Sequence, residues 1–159
     1  MPFYYGVEQS PATPYATHAT PNTEDPTMVL RQTTRNCDIL SISAGGRAAA
    51  GTTISGIGYK LRRWTTVGTG GTTVTPAPRR IGTTASTVVV DKASAITAGT
   101  VSGAYQLGFV CGKAGPGGWV ARDADAAVNL EAGSADEIDI NSVAGEASLL
   151  HTVGCEISE

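Results

Sequence analysis

The sequence predicts an all-β fold: an antiparallel β-sandwich, jelly-roll-like, with an extended proline-rich N-terminal arm. Three observations predict it. From residue 27 onward, short β-branched and apolar runs are divided by Gly, Thr, Pro and Ser, the punctuation of antiparallel strands. The last run alternates cleanly: Leu149, His151, Val153, Cys155 and Ile157 fall on one face, and Leu150, Thr152, Gly154, Glu156 and Ser158 on the other. The first 26 residues hold five of the eight prolines, Pro2, Pro11, Pro14, Pro21 and Pro26. The division expected is therefore an arm, 1–26, and a sandwich domain, 27–159. With 159 residues the chain suffices for one ordinary domain.

Taken in order, the arm comes first. Proline fixes φ and removes backbone donors, so this stretch is expected to be extended and excluded from a central strand. It nevertheless carries Phe3, Tyr4, Tyr5 and Tyr15, four of the nine aromatics. Aromatics are scarce in disordered linkers, so these four are candidate anchors for a partner surface. Eight strands are then expected: Thr27–Thr33, Cys37–Ser43, Tyr59–Val67, Ser86–Asp91, Tyr105–Cys111, Trp119–Arg122, Asp136–Asn141 and Leu149–Ile157. Asp123–Glu131 reads as the one helix, since Asp opens it, alanine fills it and Gly133 follows. Gly68–Pro78 and Gly112–Gly118 read as surface loops.

Composition narrows the function classes. Ala (22), Thr (21) and Gly (20) dominate, and only 16% of residues are charged. The formal net charge of -3 argues against a nucleic-acid binder, and no apolar run approaches the length of a membrane span. The N-terminus has neither the basic nor the apolar region of a signal peptide, so folding in a reducing cytoplasm is expected. Charge is unevenly placed: residues 1–122 sum to +6 and residues 123–159 to -9. Strands from the two segments interleave in a sandwich. The asymmetry either cancels in space or favours docking between copies or on a charged lattice.

No catalytic constellation stands out. Gly108–Ala114 has three residues between its glycines and Ala after Lys113, where a phosphate loop needs four and Ser or Thr. His151 and Cys155 are four residues apart on a strand, about 13 Å, too far for a thiolate–imidazole pair. Cys37, Cys111 and Cys155 fit no zinc or redox spacing and read as buried small hydrophobes. Glu137, Asp139 and Asn141 share a strand face without a calcium-loop pattern, and are expected to be solvated. Lys60-Leu61-Arg62-Arg63-Trp64 is the densest basic cluster, with Lys60, Arg62 and Trp64 on one face. It suits either a grip on an acidic partner, with Arg–Trp stacking, or an edge strand guarded against aggregation. Enzymatic activity, metals and cofactors are not expected.

Two segments carry a resemblance. Leu61–Pro76, with Arg63-Trp64-Thr65-Thr66-Val67-Gly68-Thr69 followed by a Gly/Thr/Pro stretch, resembles small structural proteins of tailed-phage heads. Leu130-Glu131-Ala132-Gly133-Ser134-Ala135-Asp136 resembles their turn before an acidic closing strand, although Cys155 stands where that family often has Trp. The resemblance implies a β-sandwich virion protein that decorates the capsid. It would be made in the host cytoplasm, bind the major capsid protein and bridge capsomers, and self-associate, with a trimer the first expectation. The interface candidates are Phe3, Tyr4, Tyr5, Tyr15, Lys60, Arg62, Arg63 and Trp64. The competing expectation is a carbohydrate-binding host-attachment module of a tail fibre. Neither reading calls for nucleic acid or membrane as a partner.

Overall fold

The computed structural model describes residues 2–8, 15–16, 28–31, 34–48, 56–66, 69–70, 72–92, 100, 107–112, 116–132, 137–142 and 149–159. Thirteen strands run in chain order. They are β1 Tyr4–Glu8, β2 Tyr15–Ala16, β3 Met28–Arg31, β4 Cys37–Ala48, β5 Gly56–Trp64 and β6 Thr72–Val74. Then come β7 Ala77–Pro78, β8 Val89–Lys92, β9 Leu107–Gly112, β10 Pro116–Val120, β11 Val128–Leu130, β12 Glu137–Ser142 and β13 Leu149–Ser158. They form two antiparallel sheets. Sheet A has the order β10-β4-β13-β1-β7, with β11 also on β4 and β2 also on β13; sheet B has the order β6-β8-β3-β12-β5-β9.

Strand periodicity builds the core. On sheet A, Tyr5 and Val7 lie opposite Ile157 and Cys155, and Cys155 lies opposite Ile42. These side chains are buried against Met28 and Leu30 of β3, Tyr59 and Leu61 of β5, and Ile138 and Ile140 of β12. Each large aliphatic so removed from water contributes about 1.5–3 kcal/mol. Cys37 and Cys155 are free and buried among them, as the reading of small hydrophobes requires. Burial raises both thiols, Cys155 to about 12. The Cys111 side chain lies outside the described residues.

The chain steps between sheets at both sides. Only Thr75 and Pro76 separate β6, on the edge of sheet B, from β7, on the edge of sheet A. On the opposite side β9 ends sheet B and β10 begins sheet A.

The eight expected strands are present within a few residues, and three expectations need correction. The first concerns the arm. Tyr4–Glu8 is an interior strand of sheet A, paired on one side with β13 and on the other with β7. Pro2 and Pro11 lie outside it, so every donor this strand needs is retained. Second, the expected helix over Asp123–Glu131 is a single 3₁₀ turn, Ala124–Ala126, followed by β11. Val128 and Leu130 are buried and Asn129 is exposed, because pairing with Cys37–Ile39 of β4 outweighs the helical propensity of the alanines. Third, the two presumed loops are partly strand: Gly68–Pro78 contains β6 and β7, and Gly112–Gly118 overlaps the end of β9 and the start of β10.

Candidate functional site

Antiparallel register brings together the two polar faces seen in the sequence. Strand β12 pairs with β5 so that Asp139 faces Arg62, Asn141 faces Lys60 and Glu137 faces Trp64; on its other side Glu137 faces Arg31. These groups lie on the face of sheet B turned away from the main core, beside Val29. The Asp139 carboxylate is fully buried. It accepts from Arg62 Nε at 3.1 and 3.0 Å, from Arg62 Nη2 at 2.5 Å and from Trp64 Nε1 at 2.9 Å. Burial pushes its pKa above the ordinary 3.8, and the hydrogen bonds and charge of Arg62, with the Trp64 bond, act against that rise. Arg31 and Glu137 form a second ion pair one row away.

Two corrections follow. Glu137, Asp139 and Asn141 are not a solvated strand face; all three are buried. The cluster at Lys60–Trp64 is not an exposed edge: β5 lies between β12 and β9 as far as Leu61, and beyond that point Arg62 and Trp64 are buried. Within it Arg62 is only 3% exposed and Trp64 is fully buried, both engaged by Asp139, so neither is offered to a partner. Arg63 is half-buried and donates to the Asn129 carbonyl at 2.5 Å, and Lys60 is half-buried. The signal that would have linked the two faces was the opposite net charge of residues 1–122 and 123–159. Arg31–Glu137, Arg35–Glu159, Arg62–Asp139, Arg79–Glu156 and Arg122–Asp123 each join a base of the first segment to an acid of the second.

A third carboxylate organises the end of β13. The Glu159 side chain is buried and accepts from the Thr87 amide at 2.9 Å, Thr87 Oγ1 at 2.9 Å, the Val88 amide at 3.0 Å and Ser86 Oγ at 3.2 Å. Its backbone exchanges hydrogen bonds with Phe3 at 2.9 and 3.0 Å. Sequence reasoning passed over this residue, since nothing local distinguishes it from a solvated terminal acid.

The exterior of sheet A is different in kind. Cross-strand rows place Val120, Ser41, Glu156 and Gly6 side by side, and beside them Gly118, Ser43 and Gly154. Small residues line this face, and the Arg79 guanidinium lies over Gly6 to reach Glu156. Tyr4 (48% exposed) and Val120 (73%) stand out from it, and with Leu40 they wall an open depression of about 430 Å³. Beyond β7 the chain turns through Arg79-Arg80-Ile81-Gly82, where Gly82 supplies a φ of 80° and Ile81 is fully exposed. Of the arm aromatics, Phe3 and Tyr4 are exposed. Tyr5 points into the core, with its hydroxyl donating to Thr84 O at 2.9 Å. Tyr15 lies in β2, with its side chain outside the described residues.

Among the described residues no group of three or more His, Cys, Asp or Glu is placed to hold a metal ion. Against known protein families, curated proteins and solved structures, the chain finds no match.

Proposed function

We propose that this chain is a structural virion protein that binds the outside of an icosahedral phage capsid and bridges capsomers as a cement. The supporting observation is where its interaction chemistry lies. The charged side chains with the strongest contacts, Arg62, Asp139 and Glu159, serve other parts of the same fold. What faces outward is a sheet face with exposed Tyr4 and Val120 beside a shallow depression, and an anchored loop tip bearing Ile81. Such a surface suits docking on another protein. The likeness of Leu61–Pro76 and Leu130–Asp136 to tailed-phage head proteins supplies the lattice. On a repeating lattice, modest contacts become durable through multivalency. A protein that binds only the assembled shell also stabilises it by mass action, about 2.7 kcal/mol per site at one hundred times Kd.

The test is a thermal DNA-release curve for particles with and without the protein, run beside a host-adsorption assay. The cement reading expects release at lower temperature without the protein and unchanged adsorption. Equal release curves with lost adsorption would overturn it in favour of a tail-fibre attachment module.

A further inference from the structure

We infer that the Arg80–Ile81 bond is a processing site, cut in the folded protein by an arginine-specific serine endopeptidase, and that the product is a two-chain molecule whose strands stay interleaved. The inference concerns the free protein and does not depend on the capsid reading.

The bond lies on an open stretch of chain. Residues 77–82 are all exposed, as are Thr84 and Ala85, and residues 83–88 belong to no helix or strand. Exposed loop tips are where folded chains are nicked. On the upstream side Ala77 and Pro78 already lie extended in β7, the last strand in the order of sheet A. The turn itself is lightly held. A serine endopeptidase must draw the Arg80 carbonyl into its oxyanion hole, and that carbonyl accepts one long hydrogen bond, from the Thr83 amide at 3.4 Å. Gly82, at a φ of 80°, passes to an extended form with no Cβ to obstruct it.

Side-chain chemistry singles out Arg80. Arg31, Arg35, Arg62, Arg79 and Arg122 are each paired with a carboxylate, and Arg63 donates to the Asn129 carbonyl. Among the described side chains, Arg80 is the exposed arginine whose guanidinium no such partner holds. It is available to a specificity pocket that ends in a carboxylate. The residue beyond the bond, Ile81, is fully exposed and uncharged. At Arg122, by contrast, the residue beyond the bond is Asp123, which already takes the guanidinium. The step is amide hydrolysis. One water is consumed, the C–N bond between Arg80 and Ile81 breaks, and a carboxylate on Arg80 and an ammonium on Ile81 result.

Topology keeps the product together. Residues 1–80 supply β1 to β7, and residues 81–159 supply β8 to β13. Sheet B takes its strands alternately from the two segments along its whole order, and sheet A alternates from β10 as far as β1. Among the described strands, every pairing crosses the cut except that of β1 with β7. Each segment is thus the template on which the other forms sheet. Both new ends are tethered near the break: the Arg79 amide donates to Tyr4 O at 2.9 Å, and the Tyr5 hydroxyl donates to Thr84 O at 2.9 Å. What cleavage removes is the covalent link. In the uncut chain that link keeps the segments at an effective concentration of about millimolar order. Once it is cut, separated segments must find each other in solution, and stability comes to depend on protein concentration.

An arginine-specific endopeptidase added to the purified full chain under native conditions tests this. The first product should be two fragments, one ending at Arg80 and one beginning at Ile81, with masses that sum to the chain plus one water. They should elute together from a sizing column at the position of the uncut protein, and part in denaturant. Arg80→Gln should slow the first cut by about tenfold or more, and Arg122→Gln should leave its rate unchanged. Dilution by about a hundredfold should lower the melting temperature of the cut protein and leave that of the uncut protein where it was. A first cut at another bond overturns the inference, as does a rate indifferent to Arg80→Gln. So does a native chain that resists digestion while the urea-unfolded chain is cleaved, or a pair of fragments that separate on the column.

Discussion

Replacing Asp139 by Asn is the sharpest probe of the polar layer on sheet B. The exchange preserves shape and leaves an amide oxygen to accept from Trp64 Nε1, but it removes the charge that faces Arg62. The Arg62 guanidinium is 3% exposed and Asp139 is wholly buried, so water cannot replace the lost partner. Stripping one member from such a buried pair costs about 3–5 kcal/mol, most of it the desolvation left uncompensated on the survivor. With a urea slope of about 2 kcal/mol/M, the midpoint should fall by about 1.5–2.5 M at constant slope. Adding Arg62→Met to Asp139→Asn removes the orphaned charge and should return about 2–3 kcal/mol of that loss. The assay is equilibrium urea unfolding followed by tryptophan fluorescence. A single variant costing less than about 1 kcal/mol, or a double variant no better than the single, would refute the view that Asp139 holds Arg62 inside the fold.

Two further outcomes follow from local geometry. Gly118→Ala should cost upward of about 2 kcal/mol, since its new methyl would run into the Ile42 carbonyl and sit 3.3 Å from Ser43 Cα, both backbone. Gly6→Ala should cost under about 1 kcal/mol, because its methyl meets only the movable Arg79 guanidinium at 2.9 Å and disturbs an exposed ion pair; thermal melts of the two variants side by side decide it. The Cys155 thiol titrates near 12 when folded against an ordinary 9.0, so the stability it confers is fully present below pH 9.0. As pH rises above 9.0 the unfolded state ionises first, and about 1.4 kcal/mol should be lost per pH unit toward 12. Cys155→Ala should reduce that slope without abolishing it, since burial raises the Cys37 thiol as well, in urea melts taken on both sides of pH 9.0.

Strand alternation is a local property, and it was readable wherever a strand buries one face. Leu149–Ile157 announced β13 in this way, and Cys37–Ser43 announced most of β4. The misses have a common cause, which is that pairing partners are distant in sequence. Tyr5 and Val7 alternate as well as any core strand, but the prolines around them masked a segment whose partner is more than 140 residues away. Val128-Asn129-Leu130 carried the period of two inside an alanine-rich stretch, and only β4 converts that period into a strand. The polar layer was half legible for the same reason. Lys60, Arg62 and Trp64 share a face by counting, as do Glu137, Asp139 and Asn141. Their burial depends on a cross-strand register that neither segment specifies alone.

The pairing of β1 with β13 also governs how the molecule carries load. Phe3 and Glu159 are hydrogen bonded to each other, and the strands they belong to run antiparallel from that point, Tyr4 beside Ser158 and Glu8 beside Gly154. Tension applied at residues 3 and 159 therefore pulls at one end of the ladder and opens it rung by rung, as a zipper opens. Tension applied along β1 from its far end, at Glu8, against residue 159 would load the same rungs in shear and all together. The Glu159 carboxylate, pinned by Ser86, Thr87 and Val88, sits at the first rung, where peeling must begin. A lattice contact made at the Tyr4 end of sheet A would thus pull on the fold where it peels most readily, with one buried carboxylate as the catch.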